Sequence, residues 1–222
     1  MLTWGMCLDK LRRFIKDEIK GAGDTSRPPK FTDDELVDFW ADAQDDLVNY
    51  VARPATFTVQ AGLDKANLPD DLYRVEAVLS PRGEVMLQLG EDNATVIDEW
   101  EGVSWVLGHS ELYFTDRLDC AATVRYRAYY PAPKVGERDM PILVPRWAIK
   151  ACIYHCAAQV VEKQVIADPQ LRQFASKTQD AGKPTDNPFL QVAKYMLERY
   201  RQTVYDHISD SQERTTWHSS YP

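Results

Sequence analysis

Three residues of metal-binding or nucleophilic types lie close together: Cys152, His155 and Cys156. A structural zinc ion needs about four ligands in a tetrahedral arrangement, and no second pair of ligand residues lies near these three in the sequence. On a helix, Cys152 and Cys156 share one face, where free cysteines behave as small hydrophobic residues. The spacing therefore favours a packing role over a metal site, and we predict no cofactor.

Nucleophilic catalysis and nucleotide binding have no matching pattern in the sequence. A serine or cysteine nucleophile needs a histidine base and a third residue that orients the base, held in a defined turn. None of the four histidines lies in such a frame; they are His109, His155, His207 and His218. The glycine-rich phosphate loops Gly-x-x-x-x-Gly-Lys-Ser/Thr and Gly-x-Gly-x-x-Gly do not occur. We therefore predict a protein that is not an enzyme.

The segment from Thr32 to Asp46 is rich in carboxylates and holds no lysine or arginine. Its seven acidic residues are Asp33, Asp34, Glu35, Asp38, Asp42, Asp45 and Asp46. The first three favour the start of a helix through its dipole, so an ordinary solvated face is the simpler interpretation. The alternative hypothesis is a functional face that lines a DNA channel or meets a basic partner. Its members are Asp34, Asp38, Asp42 and Asp45.

Residues 210–222 form a polar segment with two isolated aromatic residues, Trp217 and Tyr221. Polar chain ends are commonly disordered. Large aromatic side chains in a polar segment are also typical anchors for docking onto a partner, because a few such residues carry most of the binding energy of an interface. Terminal disorder and a docking tail therefore both fit this segment.

The composition indicates an ordered, soluble protein. Hydrophobic residues make up 44% of the 222 residues and charged residues 27%, values that are typical of globular domains. The net charge of -8 argues against tight binding to a phosphate backbone, although DNA could pass through an acidic channel without adhering. No segment approaches the ~18 apolar residues of a membrane span. The four cysteines are too sparse for a disulfide framework, so we expect free thiols.

The periodicity of apolar residues predicts helices at both ends of the chain. The first helix is expected over 4–20, before Gly21 and Gly23. The second begins at a capping box formed by Thr32 and Glu35. A third covers roughly 145–166, and proline at the first helical position predicts a short helix after Asp168 and a long one from Pro188. Residues of the long helix that include Leu190, Tyr200 and Val204 recur at helical spacing and are expected to point inward.

Between the helices, residues 54–131 alternate between apolar and polar types, which is typical of strands with one buried face. Strands are expected at 57–59, 72–79, 85–89, 105–107 and 112–114. A long last strand follows, in which Ala122, Val124, Tyr126 and Ala128 point to one side. Short segments separated by glycine and proline suggest an antiparallel sandwich. The predicted fold is α+β, a helical bundle of N- and C-terminal helices with an inserted antiparallel β-sandwich-like module and an extended C-terminal tail. The predicted divisions are a helix pair over 1–53, the β module over 54–131, the helices that complete the bundle over 132–209, and the docking tail over 210–222.

Four short motifs carry a resemblance to a known family. They are Phe-Thr-Asp-Asp-Glu-Leu at 31–36, Phe-Thr-Val at 57–59, Leu-Pro-Asp-Asp-Leu at 68–72 and Tyr-Tyr-Pro at 129–131. In this order, within a chain whose helices flank a β module, they resemble the head-to-tail adaptor (connector) proteins of bacteriophages, including the tail tubular protein A type of short-tailed phages. The similarity in architecture covers roughly residues 3–208.

The resemblance implies a structural virion protein at the head-tail junction, assembled in the host bacterial cytoplasm. Such a protein forms a homo-oligomeric ring, a dodecamer in the family, between the portal protein and the downstream tail or nozzle protein. Double-stranded DNA passes through the ring without specific binding, and no membrane is involved. In relatives the C-terminal segment often docks on the portal, and Trp217 and Tyr221 occupy that region here.

Two alternatives remain open at this point. The chain could be another neck component, such as a stopper or tail-completion protein, which would also be acidic and non-catalytic. It could instead be a ligand- or glycan-binding β-sandwich protein, if Trp100 and Trp105 are exposed and stack on sugar rings. The helix pair that precedes the β module favours the adaptor.

Overall fold

The computed structural model describes residues 2–16, 30–86, 88, 103–167 and 188–218, and in the last range the side chains of residues 190–208. The fold is α+β, as predicted: four helices, with two small antiparallel sheets inserted between the N- and C-terminal pairs. The chain divides into two compact units. The helical unit comprises Met1–Tyr50 and Pro131–Pro222, and the β unit comprises Val51–Tyr130.

The helical unit is built around its third helix. The helices are α1 (Trp4–Ile15), α2 (Asp33–Val48), α3 (Ala148–Ala167) and α4 (Pro188–His218). Helix α3 packs against each of the other three. None of the helices that the structure describes combines the length and hydropathy that a membrane crossing requires.

Helix α1 begins against the segment that precedes α3. The backbone N–H groups of Trp4 and Gly5 donate to the carbonyls of Met140 (2.8 Å) and Arg138 (2.7 Å), so two donors that a helix start leaves unpaired are satisfied. A side chain at Gly5 would place its Cβ 3.1 Å from Arg138, which explains why glycine stands there. The predicted end at residue 20 was wrong, because α1 ends at Ile15 and Lys16 adopts the left-handed conformation that terminates helices.

Helix α2 begins at the predicted capping box. The backbone N–H of Glu35 donates to Thr32 Oγ1 (3.2 Å), and the backbone N–H of Thr32 donates to Glu35 Oε2 (2.8 Å). The guanidinium of Arg12 reaches this turn from α1, where it donates to the Phe31 carbonyl (3.2 Å) and to Asp33 Oδ1 (2.5 Å). A buried arginine therefore joins α1 to the start of α2.

Helix α3 is apolar on most of its circumference. Its buried residues are Ala148, Ile149, Ala151, Cys152, Ile153, Cys156, Ala157, Ala158, Val160 and Val165. Six of these are alanine or cysteine, and small side chains let neighbouring helices approach closely. Its exposed charged residues are Lys150 near the start and Glu162 and Lys163 near the end.

Helix α4 begins at Pro188, as predicted, and continues to His218. The expectation of an extended tail from residue 210 was therefore wrong as far as residue 218, because the helix runs through that stretch. Tyr200 and Val204 point inward as expected, whereas Leu190, which was expected in the core, is 38% exposed. Residues 168–187, where a short helix was predicted, lie outside the described residues.

The β unit contains two three-stranded antiparallel sheets. The strands are β1 (Arg53–Val59), β2 (Lys65–Asn67), β3 (Leu72–Leu79), β4 (Trp105–Leu107), β5 (Glu111–Phe114) and β6 (Ala122–Ala128). One sheet has the order β1-β6-β3 and the other β2-β5-β4. Strand β2 was not predicted. The strand that was predicted from Val85 is reduced, among the described residues, to isolated bridges at Val85 and Gln88.

Residues from both sheets form one hydrophobic core. Its members are Val59, Val75, Val78, Trp105, Leu112, Phe114, Leu118, Ala122 and Val124. The predicted alternation of β6 is confirmed, since Ala122, Val124, Tyr126 and Ala128 are buried and Arg125 between them is exposed. The arrangement is that of a small β-sandwich.

The buried Arg12 gives a test of how α1 is joined to α2. Substitution of Arg12 by methionine withdraws the hydrogen-bond donors from Phe31 and Asp33, and we expect the free energy of unfolding to fall by roughly 1–3 kcal/mol. Urea denaturation measures this change. The matched control is Arg13→Met at the neighbouring exposed arginine; an equal effect of both substitutions would contradict the assigned role of Arg12.

Candidate functional site

The acidic residues of α2 form a continuous exposed face. Asp34, Asp38, Asp42 and Asp45 are all exposed, and their spacing along the helix covers about 16 Å at 1.5 Å per residue. The half-buried Ala41 lies among them, so no bulky side chain interrupts the face. The structure therefore brings together the four aspartates that the sequence singled out; they are called the acidic face below.

Helix α3 borders this face without neutralising it. Lys163 forms an ion pair with Glu35 (2.7 Å), and this contact, with the capping hydrogen bonds, lowers the pKa of Glu35. Gln159 donates a hydrogen bond to Asp42 Oδ2 (2.9 Å). Burial, and next the charge of Asp42, raise the pKa of Asp45. Within the described part of the chain, no lysine or arginine forms an ion pair with any residue of the acidic face.

Two adjoining concavities on the same unit are lined by cations. One, of about 580 Å³, is lined by Leu2, Lys10, Arg146, Ile149, Lys150 and Ile153. The other, of about 450 Å³, is lined by Arg146, Trp147, Lys150, Arg199, Gln202, Thr203, Asp206 and His207. Because they share Arg146 and Lys150, we treat them as one surface. It is called the basic groove below, and its cations are Lys10, Arg146, Lys150 and Arg199.

Cations outnumber carboxylates among the described lining residues of the basic groove. Within the described ranges, none of its four cations forms an ion pair, and Asp206 is the one carboxylate among the lining residues. The rings of Trp147 and His207 stack at 4.5 Å between centroids and form one wall. Ile149 and Ile153 give the groove an apolar floor. Such a surface is complementary to a carboxylate-rich ligand.

The basic groove was not predicted from the sequence. Its four cations come from α1, from the turn before α3, from α3 and from α4, so each segment contributes one cation and none shows the cluster by itself. Arg146 and Lys150 are four residues apart, and this spacing was the one local signal.

The cysteine and histidine cluster lies in the helical core. Cys152 and Cys156 are fully buried, and burial raises the pKa of both thiols. The Cys156 thiol donates to the Phe39 carbonyl at 3.3 Å, which fastens α3 to α2. No group of three or more histidine, cysteine or acidic residues suited to a metal ion occurs among the residues described. These side chains act as packing residues.

Motifs that carried the family resemblance have structural roles in the β unit. Asp71 forms an ion pair with Arg53 and accepts a hydrogen bond from the Tyr126 hydroxyl (3.0 Å). Its backbone carbonyl accepts from the N–H of Tyr129 (2.8 Å), and the Tyr130 hydroxyl donates to the Val51 carbonyl (2.8 Å). The Leu-Pro-Asp-Asp-Leu and Tyr-Tyr-Pro motifs therefore close the same end of one sheet.

The two aromatic residues assigned to the docking tail cannot be described as a surface. The backbone of Trp217 belongs to α4, while its side chain and all of Tyr221 lie outside the described residues. Their docking role stays a prediction.

Burial of the thiols predicts selective chemical modification. Only thiolates react, and burial raises the pKa of Cys7 to about 11, whereas Cys120 is exposed. We expect one thiol of the four to react rapidly with Ellman's reagent in the native protein and all four in denaturant. Cys120→Ser should abolish the rapid reaction; a rapid reaction that persists in this variant would show that at least one of Cys7, Cys152 and Cys156 is not buried as described.

His155 predicts a loss of stability in mild acid. Burial lowers its pKa below the usual value near 6.5, although Asp46, Asp42 and Glu162 oppose this shift. Below about pH 6.5 the unfolded chain therefore binds a proton at His155 that the folded chain does not, and stability falls with pH. His155→Gln should reduce the slope of unfolding free energy between pH 6.5 and 5 relative to wild type. The matched control is His109→Gln at an exposed histidine; a slope that both substitutions reduce equally would contradict the role assigned to His155.

The described residues thus present two oppositely charged surfaces on one helical unit, the acidic face of α2 and the basic groove. Both are exposed, and neither contains a nucleophile with a positioned base. No family model matches this chain, and no curated protein matches it either.

Proposed function

We propose that this protein is a head-to-tail adaptor of a bacteriophage, a non-enzymatic subunit of a ring between the capsid portal and the tail. The ring, a dodecamer by resemblance, provides a conduit for double-stranded DNA during ejection. The site of action is the head-tail junction of the virion, and the partners are the portal protein, further copies of this chain and a downstream tail protein.

The observation that carries the proposal is the order of the elements. Among the described residues, two helices precede a small β-sandwich and two follow it, so the helical unit is discontinuous in the sequence. The family resemblance implies this order. Motifs that carry the resemblance form the N-terminal cap of α2 and the contacts at one end of the sheet β1-β6-β3.

Charge supports the same proposal. The net charge of -8 and the exposed carboxylates of α2 disfavour stable binding of DNA, which suits a conduit that must not retain its cargo. If part of the acidic face borders the lumen, repulsion of phosphate keeps the DNA from adhering. If it meets a basic partner instead, its role is assembly.

Of the two alternatives to an adaptor, one keeps its support and the other loses it. A stopper or tail-completion protein would share the acidic charge and the helices, and it remains the second candidate within neck proteins. The glycan-binding alternative loses its main support, because Trp105 is 2% exposed and its indole N–H donates to the Met86 carbonyl (3.2 Å). Trp105 is a core residue, and Trp100 lies outside the described residues.

Binding to the portal is the decisive property of an adaptor. We expect the full-length protein to co-sediment with portal rings of the phage that encodes it. A chain that ends at Ser209 lacks both Trp217 and Tyr221 and should lose binding, since aromatic anchors carry much of an interface's energy. The readout is the fraction of protein pelleted with the rings.

Point variants separate the aromatic side chains from the helix that carries one of them. The double substitution Trp217→Ala and Tyr221→Ala should reduce binding as the truncation does, and Trp217→Phe with Tyr221→Phe should retain most of it. Binding that survives truncation would place the contact on the body of the protein. If the full-length protein does not bind the portal, the adaptor proposal is wrong and the tail-completion alternative takes its place.

A further inference from the structure

We infer that the acidic face of one copy docks into the basic groove of the next copy. This contact rests on the proposed function, because it supplies the subunit interface that a ring requires. The occupant of the basic groove is a second copy of this chain, and the part that enters it is helix α2.

Charge complementarity is the first step. The acidic face presents four exposed carboxylates, and the basic groove presents four cations from separate segments. Within the described part of the molecule, neither set forms an ion pair of its own. Opposite potentials on facing surfaces steer association and fix its register.

The acidic face cannot enter the basic groove of its own molecule. The groove is lined by α1, the turn before α3, α3 and α4, and α2 contributes no residue to either concavity. Helix α2 instead packs its opposite side, through Leu36, Trp40 and Leu47, into the core of the helical unit. Pairing of the two surfaces therefore requires a second molecule.

The dimensions of the two surfaces are compatible. The acidic face is about 16 Å long and belongs to a helix about 10 Å across. The concavities of about 580 and 450 Å³ share Arg146 and Lys150, so a helix that covers these two residues reaches both. Ala41, in the middle of the acidic face, allows the helix to approach the apolar floor at Ile149 and Ile153.

The contact joins two different patches, so each copy offers one of each to its neighbours. An interface of this head-to-tail kind generates a closed ring when its rotation closes. A contact between identical patches would instead stop at a dimer. The inferred contact thus has the symmetry that the proposed ring needs.

Charge reversal on one surface at a time tests the contact. The acidic-face variant carries Asp38→Lys and Asp42→Lys, and the groove variant carries Arg146→Glu and Lys150→Glu; all four positions are exposed, so the fold should be retained. A control with Asp64→Lys and Asp119→Lys, on exposed residues of the β unit, makes the same change in net charge as the acidic-face variant. Circular dichroism and thermal melting check that each variant is folded.

Sedimentation velocity at low ionic strength provides the readout, because charges then interact over ~30 Å. We expect the wild-type protein and the control to self-associate, and added salt to weaken the association. Each surface variant alone should associate at least about tenfold more weakly, since like charges then face each other. The mixture of the two variants should associate again, because the reversed face of one fits the reversed groove of the other and the remaining surfaces are wild type.

Each contrary result identifies what is wrong. A wild-type protein that remains monomeric at low salt, or a mixture that associates no better than its components, overturns the inferred contact. A groove that takes up inorganic phosphate with equal affinity in the wild type and the acidic-face variant, without any association, would assign it to a small anion instead. Portal co-sedimentation is scored separately: portal binding without restored association leaves the adaptor proposal standing, and restored association without portal binding leaves the contact standing.

Discussion

Helix α3 packs against all three other helices of the helical unit, and the arrangement of the surface depends on that packing. A helix that buries alanine and cysteine side chains on most of its circumference allows no polar groups there and lets its neighbours come close. Cys156 even uses its thiol as a donor to the carbonyl of Phe39 on α2. Helix α2 therefore exposes most of its carboxylates to solvent, and only those at the edge of its contact with α3, Glu35 and Asp42, meet polar side chains of that helix, Lys163 and Gln159.

The exposed charges of the helical unit are separated by sign, with carboxylates on α2 and cations in the basic groove. Helix α2 buries Leu36, Trp40 and Leu47 and exposes its aspartates, with Glu35 tied to Lys163 at the first turn. The exposed Lys150, near the start of α3, instead lies next to cations from α1 and α4. Although the net charge is -8, the helical unit therefore has a region in which cations are concentrated.

The sequence predicted a helix or strand well where a single local signal, such as a cap, a proline or an alternating pattern, determines it. The capping box at Thr32 and Glu35, the proline start of α4 and the alternation of β6 are each confirmed. Helix boundaries were harder to predict, since α1 ends at Ile15 and the left-handed residue that follows it is Lys16, not a glycine. The acidic face could be predicted because it lies on one helix. The basic groove could not, because tertiary packing assembles it from residues far apart in the chain.

The inferred subunit contact depends on repetition more than on any single ion pair. Exposed ion pairs contribute only about 0–1 kcal/mol each and weaken as salt screens them. In a closed ring every subunit makes the contact twice, and the last contact joins ends that the others already hold together, so its effective concentration is high. Weak, oriented contacts then suffice for a ring on a portal template, while free subunits associate only slightly. Exposed charges suit such a weak contact better than an extensive apolar surface does. They keep the unassembled subunit, with its net charge of -8, from associating nonspecifically.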